Sequence, residues 1–146
     1  MWTFTVSLHG DETDEARLHS GARESVRVGF PREFGGDAEA WSPEALLAAS
    51  VGSCLMTTFR YYLKRNAGEV HCYMSAVTAT LDKTPDGLRI TGVAVETVIG
   101  AEGAEHLRAA ERAARKAEVN CPVSNSLTCP VTVSWEINPA PAADPA

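Results

Sequence analysis

The segment WSPEALLAASVGSCLMTTFRYYLKR, from Trp41 to Arg65, carries no charged residue between Leu46 and Met56. Its start is written as a helix start. The Ser42 hydroxyl can accept from an amide left free in the first turn. Pro43 fits the first helical position, where no N–H is required. Glu44 lies where the helix dipole favours a carboxylate. From Leu46 to Met56 every side is small or apolar. A helix without a polar stripe is surrounded by protein, so the rest of the chain is expected to wrap around it. Past Phe59 the pattern turns amphipathic, with Arg60, Lys64 and Arg65 towards the C-terminal end of the dipole. Asn66–Ala67–Gly68 then suits a left-handed cap. A cysteine, Cys54, sits in the middle of this rod.

Around it the chain alternates. Trp2 to His9 sets Trp2, Phe4, Val6 and Leu8 against polar neighbours, which predicts a half-buried strand. Ala16–Ser20 and Ser25–Phe30 predict two more strands, and Pro31–Ala40 (PREFGGDAEA) a loop. Beyond the helix, Val70–Leu81 and Leu88–Ile99 read as long strands joined by the turn Thr84–Pro85–Asp86–Gly87, with a bulge at Gly92. On the first of these strands, Cys72, Met74, Ala76, Thr78 and Thr80 share one face. Glu102–Val119 predicts a second helix with an apolar stripe of Leu107, Ala110, Ala114 and Ala117. A loop with one helical turn (NCPVSNSLTCP) and a last strand, Val131–Ile137, complete the order βββ–α–ββ–α–β. That order indicates an α+β fold with antiparallel sheets around a long central buried helix, one domain over residues 1–138. The Ala/Pro-rich tail, 139–146, is expected to be disordered.

At 146 residues the chain can bury a proper core without staples. A net charge of −6 with no basic run argues against nucleic-acid and anionic-membrane partners. The start, MWTFTVSLHGDE, has no basic flank or apolar core, and the longest apolar run is shorter than the ~20 residues that span a bilayer. A cytoplasmic protein is therefore expected, in which Cys54, Cys72, Cys121 and Cys129 are redox-active, metal-binding or inert rather than a static framework. There is no CxxC and no HxxxH, and His9, His19, His71 and His106 are scattered, so neither zinc nor another cofactor is expected.

Cys54 by itself reads equally well as a small core residue. Ser50, Ser53, Thr57 and Thr58 nevertheless surround it with hydroxyls within a turn. Cys121 ends a helix, precedes Pro122 and falls outside any apolar period. Together the two suggest a pair in which one thiolate attacks a peroxide and the second thiol captures the sulfenic acid as a disulfide. A buried thiol ionises poorly, so such a nucleophile needs a nearby cation, and an arginine fork suits best. Arg32 in the loop before the helix is the leading candidate, with Arg17, Arg23 and Arg27 behind it; Glu44 or Glu33 could hold the arginine. Glu44 and Cys54 lie about 15 Å apart along a straight helix and point in different directions. Either a long arginine bridges that gap or a partner chain supplies one side, and a homodimer with the site near its interface is expected. Cys72 reads as strand packing, and Cys129 before Pro130 as structural.

The segments SPEALLAASVGSC around Cys54 and AEVNCPVSNSL around Cys121, with PREFGG before the helix, resemble the signature segments of the OsmC/Ohr family of organic hydroperoxide reductases. The order of elements agrees over nearly the whole chain. The resemblance implies an intertwined homodimer with a thiol peroxidase site at the subunit interface. Cys54 matches the peroxidatic cysteine, Cys121 the resolving cysteine, and Glu44 the glutamate that orients the arginine. Arg32 matches the OsmC-type arginine; Arg17 is the nearest match to the earlier, Ohr-type one. The implied reductant is an external dithiol, as with the lipoylated proteins that recycle the Ohr branch. The expected function is reduction of organic hydroperoxides, the apolar Val51, Leu55 and Met56 favouring alkyl substrates. The alternative is an OsmC-like binding or redox-sensing module without turnover. A thiol acyltransferase or hydrolase ranks last, for want of a general-base histidine near either cysteine in sequence.

Overall fold

The long helix forms where its start signals put it: α1 runs Pro43–Arg65, and the Ser42 hydroxyl accepts the Ala45 amide at 3.1 Å. The structure, a computed structural model, describes residues 1–139, so all but Pro139 of the expected tail lies outside the described residues. The chain divides into two compact units, Met1–Leu47 and a second beginning at Ala48, with the boundary inside α1.

The first unit carries an antiparallel meander of β1 (Ser7–Gly10), β2 (Ala16–His19) and β3 (Val26–Val28). The expected strand from Trp2 begins only at Ser7, and its apolar set stands in the open: Trp2 is 88% and Phe4 95% exposed. Alternation alone buries nothing when no second layer covers the face. After β3 the chain makes a 3-10 turn, Arg32–Phe34, closed by Gly35 at φ 87. A β-carbon on Gly36 would overlap the Phe30 carbonyl, so the double glycine lets the loop fold back on itself.

The second unit holds β4 (Cys72–Thr84), β5 (Gly87–Gly100), α2 (Ala104–Asn120), the single turn α3 (Pro122–Asn125) and β6 (Val131–Asn138). β4 and β5 form a long antiparallel hairpin whose register slips between Thr80 and Leu81, opposite Thr91–Gly92, where the bulge was expected. One pairing departs from the antiparallel expectation: β6 joins β5 in parallel. Parallel neighbours need a long crossover, and α2 supplies it.

The core of this unit joins Val51, Leu55, Phe59 and Leu63 of α1 to Val93, Val95, Thr97 and Ile99 of β5. Phe59 stacks on Trp135 of β6 at 5.6 Å and tilts against Tyr73 of β4 at 5.4 Å, tying the helix to both outer strands. Gly52 lets the helix approach the sheet, since a β-carbon there would sit 2.8 Å from Val77 Cγ2. α2 turns in Ala109, Ala110, Ala113, Ala114 and Ala117, a flat stripe for close packing. Within this chain α1 buries one stripe, while Ala49, Ser53 and Thr57 stay exposed.

Candidate active site

Cys54 projects from the middle of α1, half-buried, and Cys121 sits fully buried at the joint between α2 and α3. Cys121 is extended (φ −69, ψ 109), because Pro122 must open the next turn and the residue before proline avoids helical backbone. This brings the two side chains together, each as a free thiol and close enough for Cys121 to act on the ionisation of Cys54. Burial pushes the Cys54 thiol up, and Cys121 adds to the rise. The backbone N–H of Val123 is the main opposing influence, with the Thr58 hydroxyl a minor one. The Thr58 hydroxyl also donates to the Cys54 carbonyl at 2.8 Å. Thr57 bonds that same carbonyl and Ser53 bonds Ala49, so the hydroxyls around Cys54 serve the helix backbone more than the sulfur.

The turn after Cys121 does more than its composition suggested. Ser124 Oγ donates to Cys121 Sγ at 3.2 Å, and Asn125 Nδ2 reaches back to the Val119 carbonyl at 2.9 Å. The turn thus meets both sulfurs, the Val123 N–H opposing the rise at Cys54 and the Ser124 hydroxyl donating to Cys121. The same unit buries two hydroxyls the sequence did not single out. Tyr73 OH and Thr97 Oγ1 are buried without a hydrogen-bond partner among the described residues. Burial pushes the Tyr73 phenol up; the Thr97 hydroxyl, close by but outside hydrogen-bond geometry, eases it, as does Arg60, and Cys121 adds to it. Tyr73 escaped notice because β4 faces the core with Tyr73, Val77, Ala79 and Leu81, the set opposite to the one read from the sequence. Cys72 therefore lies on the outer face of β4, half-buried, and Cys129 lies half-buried before Pro130.

The remaining candidates belong to the first unit. Arg27 is committed to carboxylates, pairing with Asp37 at 2.9 Å, Glu15 at 3.3 Å and Glu39 at 3.9 Å. Arg23 bonds Ser20, and Arg17 on β2 donates to Ser25 at 3.3 Å. Arg32, on the 3-10 turn beside Glu33, makes no ion pair or side-chain hydrogen bond among the described residues. Glu44 holds one carboxylate oxygen buried and without a hydrogen-bond partner among the described residues. It borders a cavity of about 570 Å³ shared with Val28, Phe30, Pro31 and Phe34. An unpaired buried acceptor is a site for a cationic donor.

The family model described as OsmC-like protein matches residues 35–136, more than half of the chain and both cysteine segments. The chain belongs to the OsmC-like family. Solved structures share its fold. An OsmC-like protein of unknown function from Vibrio cholerae superposes with a TM-score of 0.81 at 16% identity, over 92% of this chain and 99% of that one. An organic hydroperoxide resistance protein OsmC from Legionella pneumophila gives 0.72 at 24% identity, over 94% and 98%. The organic hydroperoxide resistance protein OhrB of Bacillus subtilis gives 0.62 at 19%, over 93% and 98%. No curated protein matches the sequence of this OsmC-like chain. No helix among its described residues is long and apolar enough to cross a membrane.

Proposed function

We propose that this OsmC-like protein is a cysteine peroxidase that reduces organic hydroperoxides to alcohols. The observation that carries the reading is the meeting of Cys54 and Cys121 as free thiols, met by the Val123 N–H and the Ser124 hydroxyl respectively. The Cys54 thiolate attacks the outer oxygen of the hydroperoxide; a sulfur–oxygen bond forms, the oxygen–oxygen bond breaks, and the alkoxide leaves as the alcohol after taking a proton. Cys121 then attacks the sulfenic sulfur, forming the disulfide and releasing water. An external dithiol, such as a lipoylated protein, reopens that disulfide and is itself oxidised. No cofactor takes part.

Burial works against the first step, so the nucleophile needs a cation. Arg32 fits that part best, being uncommitted where Arg27, Arg23 and Arg17 have partners, and the unpaired Glu44 carboxylate is suited to hold it. Arg17 is the alternative arginine. A second copy of the chain would cover Trp2, Phe4 and the small-residue face of α1, making the homodimer the working form. The protein is read as cytoplasmic, acting on small molecules, with no nucleic-acid or membrane partner.

The test is peroxide consumption with tert-butyl hydroperoxide and dithiothreitol. Cys54→Ser is expected to abolish it, and Cys121→Ser, oxidised without reductant, to consume about one equivalent per chain and form no intramolecular disulfide. The apolar cavity beside Glu44 favours one other reading, a module that binds a lipid-like or aromatic ligand and uses the cysteines to sense oxidation. Undiminished peroxide with no Cys54–Cys121 disulfide would select that reading.

A further inference from the structure

The C-terminal end of α1 and the C-terminal half of α2 form a groove of about 730 Å³ away from the cysteine pair. Its cations are Arg65 from the first helix and Arg112, Arg115 and Lys116 from the second, with Tyr62 and Val119 as apolar wall. In a chain of net charge −6 this is a local reversal of sign. The ion pairs among the described residues are those of Arg27 and of His71 with Glu102, so none of the four cations is in an ion pair. Glu118, the nearest acid in sequence to Lys116 and Val119, is turned to the Trp135 indole instead. Arg112 also repels Arg115 and Lys116, three and four residues on, where like charges destabilise a helix. The helix dipole accounts for Arg65 in the last turn of α1, but the last turn of α2 holds no basic residue, so it accounts for neither Lys116 nor Arg112. Arg65 is held in place, stacked over Tyr61 at 5.6 Å and donating to its hydroxyl at 3.2 Å.

From this geometry we infer that the groove binds a small polyanion of the oligophosphate class. Three guanidinium forks give paired donors to phosphate oxygens, and Lys116 adds a point charge. The volume is that of a small-molecule site. Tyr62 and Val119 offer an apolar surface to whatever the phosphates are attached to. The site is independent of the thiol chemistry, and Cys54→Ser protein is expected to bind as the wild type does.

Titration calorimetry on the full-length protein at low ionic strength, with sodium tripolyphosphate and separately with ATP, tests this. One saturable site per chain is expected, weakened about tenfold or more by each of Arg112→Ala and Arg115→Ala. Alanine favours helix at these exposed positions, and an unchanged circular dichroism spectrum verifies the fold. Arg108→Ala, on the same helix but outside the groove, is expected to leave binding intact. Equal affinity for the two ligands assigns recognition to the phosphate chain; tighter binding of ATP adds the nucleoside at the Tyr62–Val119 wall. The inference is overturned if neither anion gives a saturable heat. It is overturned as well if several anions bind per chain, or if Arg108→Ala weakens binding as much as Arg112→Ala.

Discussion

Cys54 is held as a thiol by its burial, and the groups that favour its thiolate are few. Within its own unit these are chiefly one backbone amide, and on the peroxidase reading proposed above Arg32 supplies the activating charge. Arg32→Ala is accordingly expected to slow both peroxide reduction and alkylation of Cys54 by iodoacetamide, by about tenfold or more at neutral pH. An unchanged alkylation rate would remove Arg32 from the site. Ser124 has a separate role. Its hydroxyl donates to Cys121 Sγ at 3.2 Å and so orients the sulfur that would close the disulfide. Ser124→Ala should therefore slow disulfide closure about tenfold or more while leaving the first attack on peroxide unchanged, with Ser124→Thr retaining most of the rate. Rapid-quench measurement of the sulfenate and disulfide separates the two steps. Tyr73 and Cys54 also tie stability to pH. Both groups hold their protons more firmly folded than unfolded, because burial raises each. Their contribution is full below the unfolded-state values, about 8.5 for cysteine and about 10 for tyrosine, and is lost as pH climbs through the folded values. Urea midpoints should fall through the alkaline range. Tyr73→Phe, which removes an unpartnered buried hydroxyl, should flatten the upper part of that fall and be neutral or slightly stabilising at pH 7.

Among the elements, α1 sets both the packing and the site. Phe59 is completely buried between Tyr73 and Trp135, so Phe59→Ala should destabilise by about 3–5 kcal/mol in urea unfolding. Gly52→Ala should do so by about 1–3 kcal/mol, because the new methyl meets Val77 across the helix–sheet seam. The bounds of α1 were legible because Ser42, Pro43 and Glu44 are local signals read by the helix itself. So was the β4–β5 hairpin with its bulge, whose turn and glycine are also local. The face of β4 was not. Met74, Ala76 and Thr78 look as buriable as Tyr73, Val77 and Ala79, and only the position of Phe59 decides between them. The parallel docking of β6 was hidden for a similar reason: a lone strand after a helix can join either edge in either sense. In the candidate site, Cys121 stood out because it falls outside any apolar period, whereas Cys54, inside an apolar run, read equally well as a core residue. The donor of Ser124 and the unpaired hydroxyls of Tyr73 and Thr97 depend on tertiary placement that no spacing encodes.

At the scale of the whole molecule, an acidic OsmC-like chain exposes Trp2, Phe4, Val6 and Leu8 in a row at its start and leaves small residues of α1 uncovered. Apolar surface of that kind marks an interface, and sedimentation of the wild-type protein at micromolar concentration should give a dimer. A folded monomer there would show that the exposed N-terminal segment is not an interface between copies. The peroxidase reading itself rests on the two sulfurs, and tryptic mass mapping after oxidation addresses it most directly. Reduced protein treated with about one equivalent of tert-butyl hydroperoxide is expected to yield one linked peptide pair, Cys54 to Cys121, with Cys72 and Cys129 still alkylatable. Recovery of Cys54 and Cys121 as free thiols, with the hydroperoxide unconsumed, would contradict it.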